Sequence, residues 1–235
     1  MALLGPTLQP KRTEMQDFER PPSLGALVTD HVRNMIVRGE LALGEAISER
    51  GISALLNVSK TPVREALTRL KHEGLVIIKP QSGAQVFTLS AREVGNICTF
   101  RRTLEPAALA LAIEFDQPGL YHELRQVESQ MQVAHGSGRI TDYLDLDSDF
   151  HMAFFNHCGN AYLKSSYEQY AGKIAALRTH LATRPDHTRL SLREHTEIVD
   201  AVQDKDITAL RALLDAHIGR TQETYEVGVE DITQL

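Results

Sequence analysis

Four side chains able to ligate a metal fall on the apolar stripes of three different helices. In the stretch 140–158, Ile140, Tyr143, Leu144, Phe154 and Cys158 share a phase with Asp147 and His151. Asp147 and His151 are four residues apart, so on a helix they project side by side from the face that the apolar residues mark as buried. Further on, His195 shares a face with Leu192, Ile198, Val199 and Val202, and His217 shares one with Leu210, Leu213, Leu214 and Ile218. A carboxylate in an apolar core is costly unless it is paired or sits on a metal, and a buried imidazole also needs partners. One divalent cation satisfies all four, because imidazole and carboxylate suit Zn²⁺, Ni²⁺, Mn²⁺ or Fe²⁺, with zinc favoured. A lone histidine in such a place is ordinary core filling. Four coincident inward positions point to a metal centre.

Two arginines share this pattern. Arg101 lies on the stripe of Ile97, Leu104, Ala108 and Leu111, and Arg178 lies beside Ile174, Leu177 and Leu181. A guanidinium in a core takes a carboxylate. That carboxylate is either an acidic effector held next to the metal or an internal partner such as Glu105, one turn on from Arg101, and both readings stay open. Arg102 falls on the neighbouring face and is expected to be exposed, while His157 reads as polar filler. A metal-dependent hydrolase or lyase would also need a base or nucleophile beside an open metal position. The sequence has no His-Glu-x-x-His, Gly-x-Ser-x-Gly or phosphate-loop motif, so no catalytic residue is assigned and an enzyme is kept only as the alternative.

A second constellation lies nearer the N-terminus. Lys60, Thr61 and Arg64 open a short helix, and Thr68 and Lys71 lie on its same outer face. In a helix-turn-helix the start of the second helix meets base edges in the major groove, where an arginine reads guanine through two donors. Lys60 and Thr61 would hold phosphates or bases with the amides of the helix N-terminus.

The elements that position these groups divide the chain in two. A helical period runs from Ser23 to Gly39 through Leu24, Leu27, Val28, Val32, Met35 and Ile36. Ser48 can cap a second helix holding Ile52, Leu55 and Leu56, and Asn57 suits the left-handed turn after it. Thr61 is the expected cap of the third helix, with Pro62 at its first position and Val63, Ala66, Leu67 and Leu70 buried. Two β-rich runs, 75–79 and 85–89, flank a Pro-Gln-Ser-Gly turn at 80–83 and read as a hairpin. From residue 91 onward the pattern is helical, with loop signals at 116–119, 136–138, 159–160, 183–186 and 204–206. Those signals give six helices, the first of them expected to kink or break at Pro106. Short loops between helices favour antiparallel packing. The expected fold is mainly α, a winged helix-turn-helix followed by an all-α antiparallel bundle.

The 235 residues carry a formal charge of −6, but the charge is unevenly spread. Residues 20–90 hold nine Lys/Arg against six Asp/Glu, whereas residues 91–235 hold 14 against 22. A basic module joined to an acidic one suits a nucleic-acid reader with a separate body. No apolar run is long enough for a membrane helix, and Met1 to Arg20 lack the apolar core of a secretory signal. Two cysteines are too few for a disulfide framework or a cysteine-based zinc site, so a cytoplasmic location is expected.

The string Val-Ser-Lys-Thr-Pro-Val-Arg-Glu-Ala-Leu-Thr-Arg-Leu at 58–70, with Arg-Gly-Glu-Leu at 38–41, Ile-Ser-Glu-Arg at 47–50 and Gly-Leu at 74–75, resembles the winged helix-turn-helix of the GntR family of bacterial transcription regulators. The resemblance implies that Arg50, Ser59, Lys60, Thr61, Arg64 and the wing residues Gln81, Ser82 and Gly83 meet DNA. Gly51, Asn57 and Lys60 depart from the usual family residues. Gly51 costs its helix about 1 kcal/mol relative to alanine. The C-terminal part resembles the FCD ligand-binding domain of the FadR subgroup through Arg-Arg-Thr-Leu-Glu at 101–105, Asp147, Phe150, His151, Gly159, Asn160, Glu194, His195, His217 and Ile218. It implies a divalent metal on Asp147, His151, His195 and His217, beside a pocket for a small organic acid with Arg101 and Arg178 as effector-binding residues. The expected organisation is a tail at 1–20, a DNA-binding domain at 21–90, a metal, effector and dimerisation domain at 91–228, and a tail at 229–235. The expected function is a metabolite-responsive regulator, dimeric on a palindromic operator of double-stranded DNA, with no membrane partner.

Overall fold

A computed structural model describes residues 21–79, 83–181 and 185–233. Helix α1 (Leu24–Val37) starts where the Ser23 hydroxyl accepts from the Ala26 amide at 3.2 Å. It buries Val28, Val32 and Ile36, but Leu24 and Leu27, expected on the same buried stripe, stay half exposed in its first turn. Helix α2 (Glu49–Leu56) is capped by Ser48, which accepts from Gly51, and ends at Asn57 in the left-handed conformation, φ +52°. Helix α3 (Lys60–His72) begins two residues earlier than expected, because Ser59 and not Thr61 stands at the cap. Pro62 is therefore the third helical residue. It is tolerated because the first-turn amides have no acceptor within the helix.

Strands β2 (Val76–Lys79) and β3 (Gly83–Val86) pair antiparallel, with Val76 opposite Val86 and Lys79 opposite Gly83. The second strand lies earlier than the sequence pattern suggested. One residue past the strand, Phe87 keeps the same register and donates its amide to the Leu75 carbonyl, and its ring is buried. A two-residue strand β1 (Ala46–Ile47) adds to the other edge of β3. It was not foreseen, since two residues carry no period. Of the proposed wing residues, Gln81 and Ser82 lie outside the described residues.

Helix α4 (Ala91–Gly136) follows the wing directly, capped by Ser90. The expected break at Pro106 does not occur. Buried Arg101, Glu105, Ala108 and Leu109 hold the helix on both sides of it, and the backbone departs from helical geometry at Asp116, φ −151° and ψ 58°, where the loop signal of 116–119 placed a boundary. Asp116 accepts from the Gly119 amide at 3.2 Å and so caps the second half, with Pro118 in its first turn. Helices α5 (Ile140–His157), α6 (Ala161–Leu181), α7 (Pro185–Asp204) and α8 (Ile207–Thr233) complete the bundle. Residues 229–233, expected as tail, continue α8. Tyr225 and Val229 anchor that end in a cluster with Val94, Cys98, Leu177 and Ile218. The main core joins Leu120, Leu124, Phe150, Phe154, Ile198, Val202 and Leu214. No described helix is long and apolar enough to cross a membrane.

Helix α6 belongs to both halves of the molecule. Ala176 is fully buried in the apolar cluster of the N-terminal module, with Ile36 and Leu75. A Cβ on Gly172 would stand 3.1 Å from the Leu75 side chain, so the helix backbone packs directly on the module. His180 Nε2 donates to the Ile36 carbonyl at 3.2 Å, and Lys173 bonds Glu93 while lying over the Phe87 ring.

Candidate metal centre and nucleic-acid interface

Helix α5 presents Asp147 and His151, α7 presents His195, and α8 presents His217. The structure brings the three imidazoles together: one ring nitrogen of each lies within 4.8 Å of the others. Asp147 Oδ1 is 3.6 Å from His195 Nε2, and its Oδ2 is 4.0 Å from His151 Nε2. Ligand atoms around a tetrahedral zinc with bonds of about 2.0–2.1 Å lie about 3.3 Å apart, so only small closing movements separate this cluster from a coordination shell.

The partners of each ring give the donor set its character. His195 is fully buried, stacks on Phe150 with centroids 4.2 Å apart, and has no hydrogen-bond partner on either ring nitrogen among the described residues. A buried imidazole with two orphaned nitrogens is rare in native structures, and a cation at the cluster accounts for one of them. His217 Nδ1 contacts Glu194 Oε2 at 2.6 Å, and Arg220 holds Glu194 at 2.6 and 2.5 Å. That contact puts the proton on Nδ1 and leaves the Nε2 lone pair free. His151 Nδ1 lies 2.9 Å from Glu105 Oε2, while Arg101 Nη2 is 3.3 Å from its Nε2. Outer carboxylates of this kind usually orient metal-ligating histidines. Burial pushes His195 down to about 3 and His151 and His217 down to about 4, against the pull of the neighbouring carboxylates. All three rings are therefore neutral near pH 7, the form that ligates. Burial alone would raise the Asp147 carboxyl, but the Arg178 guanidinium holds it well below the usual carboxylate range.

Both buried arginines have internal partners. Arg101 Nε donates to Glu105 at 2.6 Å, and Arg178 Nε donates to Asp147 at 2.5 Å. Each keeps one nitrogen without a partner among the described residues, Nη1 on Arg101 and Nη2 on Arg178. Both side chains line a narrow internal pocket, together with Asp147, His217, Thr221 and Tyr225. The Thr221 and Tyr225 hydroxyls are also buried, without partners among the described residues. Sequence reasoning missed both, although they continue the His217 face at i+4 and i+8. It also passed over Glu194 and Arg220 as the groups that fix His217. His157 is more than filler: it lies between Asp116 and Glu123, at 2.7 and 2.8 Å, and pins the break in α4 to the end of α5. Arg102 is part exposed and pairs with Asp215 at 3.2 Å.

On the other module, Ser59, Lys60, Thr61, Arg64, Thr68 and Lys71 are all exposed along α3, and Arg50 is exposed on α2. Arg64 Nε donates to Glu49 at 2.9 Å in a solvent-exposed pair. Such a pair is weak and screened, so the guanidinium is free to exchange Glu49 for another acceptor. A groove runs between α3 and the small sheet, lined by Arg64, Thr68, Ile78 and Gly83 among others. Gly83 opens β3 at φ +83°, a conformation that favours glycine.

A winged helix-turn-helix with an exposed, basic reading helix, backed by a helical domain, defines a DNA-binding transcription regulator. Residues 24–86 match the family of bacterial regulatory proteins termed gntR, and residues 96–220 match the FCD domain. The chain belongs to the GntR family, in the group that carries an FCD domain. It is 27% identical over 193 residues to the HTH-type transcriptional repressor RspR of Escherichia coli strain K12, covering 82% of this chain and 85% of that one. It is 28% identical to the transcriptional regulator YdhC of Bacillus subtilis strain 168, covering 89% and 95%. The solved structure of E. coli McbR/YncC shares the fold, with a TM-score of 0.77 at 24% identity over 90% of this chain and 100% of that one.

Proposed function

We propose that this regulator binds a palindromic operator as a homodimer in the bacterial cytoplasm, and that a small organic acid bound at a metal site tunes its DNA affinity. The observation that carries the reading is His195, fully buried between two other histidines with neither ring nitrogen partnered. Asp147, His151, His195 and His217 would hold one divalent ion, zinc by preference. When bound, that ion supplies a positive anchor for a carboxylate. Arg101 and Arg178 then orient the acid through their unpartnered nitrogens. Glu105 and Glu194 keep His151 and His217 aimed.

Transmission follows from the packing. Arg178 holds Asp147 from α6, the same helix that buries Ala176 in the reading module. An acid that draws Arg178 away from Asp147 changes what α6 is tied to, and the module moves with it. The effector acts only through its differential affinity for two dimer geometries, typically about 1–3 kcal/mol. On DNA, Arg64 reads a base, Ser59, Lys60, Thr61 and Arg50 position the backbone, and the wing at Gln81, Ser82 and Gly83 lies alongside. RspR is named a repressor, which supports repression relieved by the acid.

The test uses the double variant His195→Ala, His217→Ala, with the solution mass and operator footprint of the parent as controls. The parent should run as a dimer, protect a two-fold site, and gain about 2.7 kcal/mol from an acid at 100 times its Kd, with the acid recovered unchanged. The variant should lose stoichiometric metal and the response to acid, yet still bind operator. A full response without metal overturns the reading, and consumption of the acid turns it towards a metal-dependent hydrolase or lyase.

A further inference from the structure

One cation of the DNA face is paired where the others are bare. Among the described residues, Arg50, Lys60 and Lys71 have no carboxylate partner, whereas Arg64 Nε donates to Glu49 Oε2 at 2.9 Å. The two residues belong to different helices. Glu49 is the first residue of α2 and Arg64 the fifth of α3, and both line the groove between α3 and the small sheet. A carboxylate in this place repels phosphate and cancels the charge of a residue that could bind one, so it lowers the affinity of the face for any DNA. An acid in the first turn also favours its own helix through the macrodipole, but that effect is read in stability and not in the choice of base.

The donors left on Arg64 show what the pairing does. A guanidinium has five N–H groups, and only the one on Nε is used by a described residue, which leaves Nη1 and Nη2 open. Guanine offers O6 and N7 side by side in the major groove. The two terminal nitrogens can meet both acceptors while Nε stays on Glu49, so a guanine contact leaves the pair intact. A phosphate sets a choice. To bring its full charge there, Arg64 leaves Glu49 and strands a carboxylate against the polyanion. If it stays, it arrives as part of a neutral pair and displaces no counterion.

Resting on the reading that Arg64 meets a base, we infer that Glu49 is a positioning residue for DNA recognition: it holds Arg64 by Nε, aims the terminal nitrogens at guanine, and withholds the charge from phosphate. The exposed pair adds little to folding. What it changes is how Arg64 divides between base and backbone, and hence how well the protein rejects unrelated DNA.

The experiment uses the full chain. A duplex selected by the parent from a randomised pool is titrated beside a scrambled duplex of equal length and composition, at two or more salt concentrations, with the parent, Glu49→Gln, Arg64→Ala and the double variant. Glu49→Gln should tighten binding to the scrambled duplex at least about threefold and steepen its log–log salt dependence by about 0.9, the release of one counterion. Binding to the selected duplex should not tighten, so the ratio of the two affinities falls at least about threefold. In the Arg64→Ala background, Glu49→Gln should leave both the ratio and the salt slopes unchanged, because its effect passes through Arg64. An unchanged ratio in the Glu49→Gln single variant overturns this inference alone, and so does an equal fall in both backgrounds, which would make Glu49 act by its own charge. If Arg64→Ala weakens binding to the two duplexes equally, Arg64 does not read a base, and both that reading and the inference resting on it fall.

Discussion

The reading helix and the histidine cluster hold their polar groups in opposite ways. Along α3, Lys60, Thr61 and Arg64 stand in solvent, and Arg64 has one exposed partner, Glu49. In the bundle, Arg101 and Glu105 are essentially fully buried, and Arg178 and Asp147 nearly so. Water solvates the first set whatever happens to a neighbour, so each residue there acts nearly independently. In the second set each charge depends on its partner, because removing one strands the other in a medium that cannot solvate it. The DNA face therefore tolerates change in its side chains, while the sensing centre responds as a unit.

The sharpest way to break that contrast is to delete one carboxylate from each region. Glu105→Ala leaves Arg101 buried and unmatched and should cost about 3–5 kcal/mol in denaturant unfolding. Glu49→Ala removes an exposed partner and should cost less than about 1 kcal/mol. Similar losses in the two variants would show that burial does not separate the regions.

A smaller effect probes independence within the DNA face. Arg64→Ala should weaken operator binding by about 1–3 kcal/mol and relax base preference at one position. Lys71→Ala should weaken binding to operator and random DNA alike, with a shallower salt dependence. Gel-shift titrations on both DNAs at two salt concentrations separate the two. Equal loss on both DNAs for Arg64→Ala would make it a phosphate contact.

The smallest effect concerns His157, which belongs to neither region. Burial disfavours its imidazolium, but Glu123 and Asp116 outweigh that and raise it above the ordinary 6.5. A raised value in the folded state gives stability that is fully present below about pH 6.5 and is lost as the pH rises through the folded value. Relative to the parent, His157→Gln should therefore be destabilised most below about pH 6.5, with the gap narrowing as the pH rises through the raised folded value. A gap that widens with pH would mean the ring is held neutral.

The same contrast explains what the sequence disclosed. The reading helix is a continuous string, so its exposed residues and its buried Val63, Ala66, Leu67 and Leu70 could be placed from local spacing. Asp147 and His151 were visible because one helical turn joins them, and His195 and His217 because each interrupts an apolar stripe. The break of α4 falls at Asp116, inside the loop signal of 116–119, whereas the kink or break expected at Pro106 is absent. Pro106 suggests a local break, whereas buried Arg101, Glu105 and Ala108 carry the helix through it by tertiary packing. The cap at Ser59 was missed because Thr61 and Pro62 imitate a helix start two residues further on. Thr221 and Tyr225 escaped notice because a hydroxyl on an apolar face looks like any other until its missing partner is seen in three dimensions.

The close approach of α6 has a consequence for how such regulators recombine. Gly172 and Ala176 let the helix backbone press on Leu75 and its neighbours, so the DNA-binding module completes its own interior with residues more than eighty positions downstream. A graft of this module onto a foreign effector domain would have to bring that stretch of helix with it, or rebuild a matching face of small residues on its new host. The unit that can be exchanged intact is the whole chain, and a new pairing of operator and signal is reached more readily by altering α3 or the pocket in place than by shuffling domains.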